Sequence, residues 1–576
     1  MNVYIFKYLN NSLLYERKGK KCFDVFMHSL YLHILLIFIF LLCLGTLFLN
    51  SSSFVNAQTA PKWYLFIYCF AAILMTFSLC SIFSDIKKLQ LADFALPLYL
   101  IITMLCAIQA LYGIAQYIRL IPTLSHHKVN GSFDNPAGFA ACICVGFPFF
   151  FYFLAKKELC IRCVSISGMI AVELAVLLSG SRAGMLALAV VCLAGFFHLF
   201  RINAKKKVFI GIFLVILSAG LYFMKKDSAN GRLLIWQCSW EMIKDKPFTG
   251  HGTDGFKAEY MNYQARYFEK NHDSKYAMLA DNINHPFNEY IGLLVNYGLA
   301  GFLLLLLFSF FLFKAFMRNP KKTLFSYCAS WCLIAIAIFS FFSYPLRYPF
   351  VWVMGLISCS IILFQGNELR LILFKKPFFP VLALLLIPVI CIKSYNRFVA
   401  EIKWCKTAQQ SLAGRMEMLP EYKKLHYRLY RNELFLYNYS AELNFAGQYE
   451  ESQSIARECE RLWADYDLQM LMADNYENLQ QYDKAEKYYK KAAAMCPIKF
   501  MPLYLLAKMY DTTGRRSEAI VLAEQIINKP IKISSATITA IQREMIQLIE
   551  KVNNNSLKNE NTRQGEMPEQ GIALPP

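Results

Sequence analysis

Pro286–Phe313 reads PFNEYIGLLVNYGLAGFLLLLLFSFFLF. The stretch opens on a polar turn and continues as an apolar run long enough to cross roughly 30 Å of hydrocarbon as a helix. Ten further runs have the same character, at about 30–49, 63–83, 95–118, 136–155, 160–178, 183–200, 207–224, 323–342, 348–365 and 377–393. With 56% hydrophobic residues in 576, the chain carries more apolar surface than a soluble core can use. The expected fold is all-α: a polytopic membrane bundle of about 11–12 spans at 30–393, followed by a soluble helical domain. The first run starts too far from Met1, and lacks a small-residue cleavage site, to be a signal peptide.

A net charge of +20 invites a nucleic-acid partner, but its distribution points to the membrane instead. With a cytoplasmic N-terminal segment at 1–29, the inner loops collect Lys87, Lys88, Lys156, Lys157, Arg201, Lys205, Lys206, Lys314, Arg318, Lys321, Lys322, Arg370, Lys375 and Lys376. The short outer loops hold only Lys62, Arg119, Lys128, Arg182 and Arg347. That asymmetry follows the positive-inside rule and sets the orientation. The expected partners are therefore membrane lipid and a lipid-borne anion, with no nucleic acid. The 18 cysteines are scattered, mostly within the spans, and Cys160–Cys163 lacks the second ligand pair of a metal site. No metal and no cofactor are expected.

Outside the spans lie one long outer loop, about 225–284, and the residues from 394 onward. Ala473, Tyr476, Gln480 and Ala485 recur 34 residues later as Ala507, Tyr510, Gly514 and Ala519, with a weaker copy at Leu443, Gly447, Tyr449 and Ser452. The period resembles tetratricopeptide repeats, in which stacked helix pairs bury what one pair cannot. The expected repeat domain is 394–552, a binding platform for a protein partner. The polar stretch 553–576 reads as a disordered tail. An eleven-span count puts the repeats on the outer face, beside the loop.

Four stretches could carry chemistry, all at the outer ends of spans. In Ser179–Gly184 (SGSRAG) a turn presents Arg182, whose guanidinium matches a phosphate bidentately or snorkels to headgroups. Glu173, in the preceding span, reads as a helix-packing residue. Arg232 follows an Asn230–Gly231 turn and precedes an amphipathic helix with Ile235, Trp236, Trp240 and Ile243, ended by Pro247. Gly250–His251–Gly252–Thr253–Asp254–Gly255–Phe256 then offers flexible backbone for close approach to a ligand, with His251 as a loop residue or a base. His285 precedes Pro286 and is read as the N-cap of the long helix, with Asn288 and Glu289 in its first turn. A histidine there titrates near neutrality and can act as general base. In Asn130–Pro136 (NGSFDNP), Asp134 and Asn135 bind sugar hydroxyls or cap the next helix.

Taken in order, the GSFDNP entry, the SR turn, the arginine-to-tryptophan pair with its P-F-x-G-x-G-x-x-x-F stretch, and the turn leading to G-L-x-G resemble the O-antigen ligase and polymerase superfamily. The motifs cover about 120–310. The resemblance implies a metal-independent, inverting glycosyltransferase of the bacterial inner membrane, with its catalytic face and repeats in the periplasm. It implies transfer of a glycan from an undecaprenyl-diphosphate carrier to a hydroxyl of lipid A core or another acceptor. By motif, Arg182 and Arg232 would hold the diphosphate and support its departure, replacing a divalent cation. Asp134, Asn135, Gly250, His251, Gly252, Asn288 and Glu289 would line the substrate. His285 would activate the acceptor, although relatives place their histidine where Phe287 stands, which keeps Glu289 and His251 as alternatives. A polysaccharide repeat-unit polymerase and a protein O-oligosaccharyltransferase fit the same motifs. The different classes are a lipid-linked glycan transporter, disfavoured by nearly charge-free midspans, and a non-catalytic scaffold.

Overall fold

The computed structural model describes residues 33–83, 91–123, 127–200, 226–320, 322–365, 378–412 and 418–564. Among these residues there are helices and turns and no strand, so the fold is all-α. The chain divides into two compact units. A membrane unit comprises Met1–Met224, Phe287–Leu293 and Ala300–Gln409; a loop–repeat unit comprises Lys225–Pro286, Leu294–Leu299 and Gln410–Pro576.

The membrane unit holds α1 (His33–Phe48), α2 (Ala60–Phe83), α3 (Leu91–Tyr117), α4 (Pro136–Gly146), α5 (Phe150–Leu154), α6 (Leu159–Ser179) and α7 (Arg182–Phe200). It continues with most of α10 (Glu289–Arg318), then α11 (Leu324–Phe342), α12 (Pro349–Gln365) and nearly all of α13 (Phe378–Leu412). Ten of the eleven apolar runs are thus helices, and the run at 207–224 lies outside the described residues. Among the described residues, eight helical stretches are long and apolar enough to cross a membrane, while α1 and Pro349–Leu363 are shorter. The final span does not stop at 393: α13 continues without a break to Leu412.

The most buried of these stretches is Pro136–Leu154, which has no charged residue and packs against α3, α6, α7, α11 and α12. Every residue from Gly138 to Phe151 is buried. Aromatic rings lock the neighbourhood: Tyr99 lies 4.7 Å from both Phe149 and Phe325, and its hydroxyl donates to the Phe325 carbonyl at 2.9 Å. By contrast α10 turns Leu303, Leu304, Leu306, Leu307, Phe308, Phe310, Phe311 and Phe313 away from the protein. Leaving one such side chain in water instead of burying it costs about 1.5–3 kcal/mol. Eight together forbid an aqueous setting, and lipid is the solvent this face requires.

The loop–repeat unit begins with α8 (Lys226–Asp245) and α9 (Gly255–Lys270). Its remaining helices are α14 (Leu419–Leu429), α15 (Glu433–Phe445), α16 (Tyr449–Glu460), α17 (Tyr466–Asn478), α18 (Tyr482–Met495), α19 (Met501–Thr512), α20 (Arg516–Ile527) and α21 (Ala536–Gln564). Successive helices from α14 onward pack on one another. The 34-residue sequence period is also a backbone period. Gln480 and Gly514 both adopt left-handed φ, at 58° and 81°. Each is followed by the same reverse hydrogen bond, Gln481 N to Tyr476 O and Arg515 N to Tyr510 O, both 2.8 Å. Ala473, Ala485, Ala507 and Ala519 are fully buried, because small side chains let the paired helices approach.

The long loop packs within this unit. Helix α9 lies on α18, Ala464 N donates to Lys257 O at 3.1 Å, and Lys257 forms an ion pair with Glu433. The end of the chain differs from its sequence reading: α21 carries the polar stretch in helix as far as Gln564, and 565–576 lie outside the described residues.

Candidate functional site

In the membrane unit, the turn before α4 is held by side chains of α3. Gln116 Oε1 accepts from Asn130 N and Gly131 N at 3.1 and 2.7 Å, and Gln109 Nε2 donates to Ser132 Oγ at 3.0 Å. Asn135 caps α4, its Oδ1 accepting from Gly138 N at 2.9 Å. The same side chain reaches across the fold, Nδ2 lying 2.8 Å from Tyr348 Oη and 3.2 Å from Tyr344 Oη. Asp134 accepts from Tyr348 Oη at 2.9 Å and pairs with Arg347 Nη2 at 3.4 Å. Asp134 and Asn135 therefore form a polar cluster with Tyr344, Arg347 and Tyr348.

Glu289 and Asn288 take part in the same neighbourhood. Glu289 Oε1 accepts from Leu346 N at 3.0 Å, one residue from Arg347. The long helix starts at Glu289, and its N-cap is Asn288, whose Oδ1 accepts from Tyr290 N and Ile291 N at 2.9 and 3.1 Å. His285 is thus not the cap. Pro286 stands outside the helix because Phe287 takes a left-handed φ of 52°, a costly conformation for a bulky residue. The Phe287 ring packs on Tyr344, with centroids 5.3 Å apart.

Arg182 is the first residue of α7, after Gly180 closes α6 in left-handed conformation and Ser181 Oγ accepts from Gly184 N at 3.3 Å. Arg182 thus brings a guanidinium, which matches a phosphate bidentately, to a helix N-terminus, whose backbone N–H groups also favour an anion. Glu173 is engaged elsewhere: its carboxylate accepts from Cys192 Sγ at 3.3 Å, a packing contact between α6 and α7.

Lys62 is the residue that outer-loop bookkeeping misread. It is fully buried in α2, donates to Ser132 O at 2.7 Å and lies 3.9 Å over the Phe133 ring. Trp63 Nε1 donates to Arg347 O at 3.1 Å. Lys62 and Arg347 were read from sequence only as loop charges, and Tyr344 and Tyr348 were not singled out. The available signal was a lone lysine beside a span and an arginine between two tyrosines.

In the loop–repeat unit, Arg232 sits inside α8. The Asn230–Gly231 pair is helical too, so no turn precedes the arginine. One turn on, Trp236 shares its face and donates Nε1 to Pro286 O at 3.0 Å, next to His285. Ile235 is buried and Trp240 is exposed.

The glycine loop after Pro247 makes its close approach to protein. Helix α10 is broken at Gly298, where φ is 61° and ψ −160°. Leu299 N donates to Pro247 O, and His251 N and Gly252 N donate to Val295 O and Asn296 O, each at 2.8 Å. A Cβ on Gly298 would lie 2.4 Å from the Phe248 carbonyl, and one on Gly250 2.4 Å from the Asn296 carbonyl carbon. Both glycines also have left-handed φ, so no other residue fits without strain. His251 Nε2 lies 2.9 Å from Met242 O, and its ring meets Tyr263 edge-on. The backbone N–H groups of His251 and Gly252 thus hold the loop on the broken helix, while an added Cβ on Gly252 would meet open space.

Residues 164–306 match a family model described as O-Antigen ligase. Among curated proteins none matches the chain. The matched stretch is about a quarter of the sequence and runs from α6 to beyond the Gly298 break, with Arg182, Arg232, His251 and His285 inside it. Over these residues the chain is similar to O-antigen ligases, and that likeness supports a multi-pass membrane glycosyltransferase of the ligase or polymerase type.

Proposed function

We propose that this protein transfers a glycan from an undecaprenyl-diphosphate carrier to an acceptor hydroxyl at the periplasmic face of the bacterial inner membrane. The observation that carries the reading is Arg182 at the positive end of α7, inside the segment similar to O-antigen ligases. In this reading the acceptor oxygen attacks the anomeric carbon and the bond from that carbon to the diphosphate oxygen breaks, with inversion. The acceptor's proton passes to His285. Glu289, whose carboxylate accepts from Leu346 N, and His251, whose ring meets the Met242 carbonyl, are the alternative bases. Arg182 and Arg232 each neutralise phosphate charge as it develops on the leaving group, with no metal required. Asp134, Asn135, Asn288 and Glu289 shape the polar floor near the sugar.

The acceptor is read as lipid A core or a comparable hydroxyl. A repeat-unit polymerase and a protein O-oligosaccharyltransferase use the same chemistry with another acceptor. Stacked repeats beside the catalytic loop, of tetratricopeptide type in this reading, favour attachment over polymerisation because they add a surface for a protein partner.

The test is a null strain complemented with wild type, Arg182→Ala, Arg232→Ala or His285→Ala, with surface glycan resolved by length and attachment. Loss of one preorganised donor to a developing anion lowers turnover by roughly 10²–10³. Each arginine variant is therefore expected to leave intact lipid-linked glycan and almost none attached. Short single-repeat products would identify a polymerase. Full attachment in both arginine variants would overturn the enzyme reading.

A further inference from the structure

Residues 280–288 have no regular secondary structure, so their polar groups need partners from other elements. As far as Pro286, the helical repeats and the two loop helices supply them. Asn282 is held at both ends of its amide: Nδ2 donates to Asp465 Oδ2 at 2.6 Å, and Oδ1 accepts from Tyr466 N at 3.5 Å. Asn284 Oδ1 accepts from Trp463 Nε1 at 2.8 Å. Gln264 Nε2 is shared between the Asp281 and Met495 carbonyls, at 3.0 and 2.7 Å. His285 therefore sits between two tryptophan-held residues, Asn284 on Trp463 and Pro286 on Trp236.

The anchors themselves are fixed. Asp465 is fully buried and Trp463 is 7% exposed. The other oxygen of Asp465 caps α17, accepting from Asp467 N and Leu468 N at 2.8 and 3.2 Å. One carboxylate thus starts a repeat helix and grips the loop. Such a device suits a reaction in which a misplacement of about 1 Å costs on the order of 10² in rate.

We propose that Trp463 and Asp465 are positioning residues that hold the His285 segment, so that the repeats are a working part of the transferase and not a detachable platform. This rests on the reading in which His285 takes the acceptor's proton.

The test exchanges the two partners. Asn282→Asp sets two carboxylates against each other, and Asp465→Asn removes the acceptor. Together they restore a donor–acceptor pair with the roles reversed, while a side-chain oxygen still caps α17. Glycan attachment is measured in the complemented null strain per amount of folded full-length protein. Hydrogen exchange is measured on the same chain purified in detergent. Each single substitution is expected to lower attachment at least fivefold and to speed exchange across 280–286, with α17 and α18 still protected. The double variant should return to within twofold of wild type in both measurements. Trp463→Phe, which removes only the indole donor, should lower attachment two- to threefold.

Faster exchange with undiminished attachment in the single variants, or a double variant no better than the singles, would overturn the inference. Arg182→Ala runs in parallel. Attachment lost there but untouched in the anchor variants sinks this inference alone; attachment retained there sinks the transferase reading and this inference with it.

Discussion

The membrane unit and the loop–repeat unit are both helical, yet they hold their irregular backbone by different means. In the membrane unit the turn at 129–135 is enclosed by side chains of neighbouring spans, Gln109, Gln116 and the buried Lys62. Burial keeps water from that turn, so its backbone bonds to protein side chains. In the loop–repeat unit the loop 247–256 is laid against broken-helix backbone at Val295–Leu299, and 281–286 is pinned by long polar side chains from the repeats. The first arrangement depends on dense packing around small residues. The second depends on a few hydrogen bonds and two glycines, so single substitutions should act on it more selectively.

The largest effect is expected at the break in α10. Gly298→Val combines a left-handed φ with a Cβ 2.4 Å from backbone that cannot move aside. Strain at such a position is about 1–3 kcal/mol before the clash is counted. Folded protein recovered by size-exclusion chromatography in detergent should fall to a small fraction of wild type. A normal yield would show that the loop does not depend on the break.

A smaller effect is expected from pH, through Asp465. Burial raises its carboxyl from 3.8 to about 6, against the lowering influence of the Asn282 amide and the Leu468 N–H, and Asp467 adds to the rise. The folded chain therefore holds this proton more tightly than the unfolded chain. Its contribution to stability is present in acid, declines as pH rises from about 4 through about 6, and is flat above, with a span on the order of 3 kcal/mol. Asp465→Asn removes that slope. The difference in thermal midpoint between variant and wild type should shift in the variant's favour from pH 4 to pH 7, and a constant difference would refute the assignment.

The smallest effect is expected inside the membrane unit. Tyr348→Phe deletes the hydroxyl shared by Asp134 and Asn135 while keeping the ring. Arg347 and the cap to Gly138 N remain in place. A loss of about 1 kcal/mol is expected from one hydrogen bond of this kind. Thermal melting in detergent should drop by a few degrees, with expression unchanged. A collapse in yield would mean that this unit is as fragile as the loop, and the contrast would fail.

Particular residues show where the sequence was legible. The apolar runs gave helices because hydropathy and length are local properties. The 34-residue period marked buried alanines because stacking repeats a local contact. Arg182 at a turn was readable from SGSRAG. His285 was misjudged as a cap because His-Pro before a helix looks like one, whereas the cost of a left-handed Phe287 is met only by packing on Tyr344. The close approach of Gly250 to the Asn296 carbonyl was not legible, because flexible backbone carries no label for what approaches it.

By itself the sequence determined an all-α membrane bundle with a soluble helical tail, its charge asymmetry, and the similarity of its middle to O-antigen ligases. Those properties follow from residue type and spacing along the chain. Tertiary structure alone decided that α10 breaks at Gly298, that Lys62 is buried under the Ser132 turn, and that Asp465 grips the loop before His285. Each is a pairing of groups distant in sequence, fixed by the need of buried polar atoms for a partner, and no local pattern names that partner.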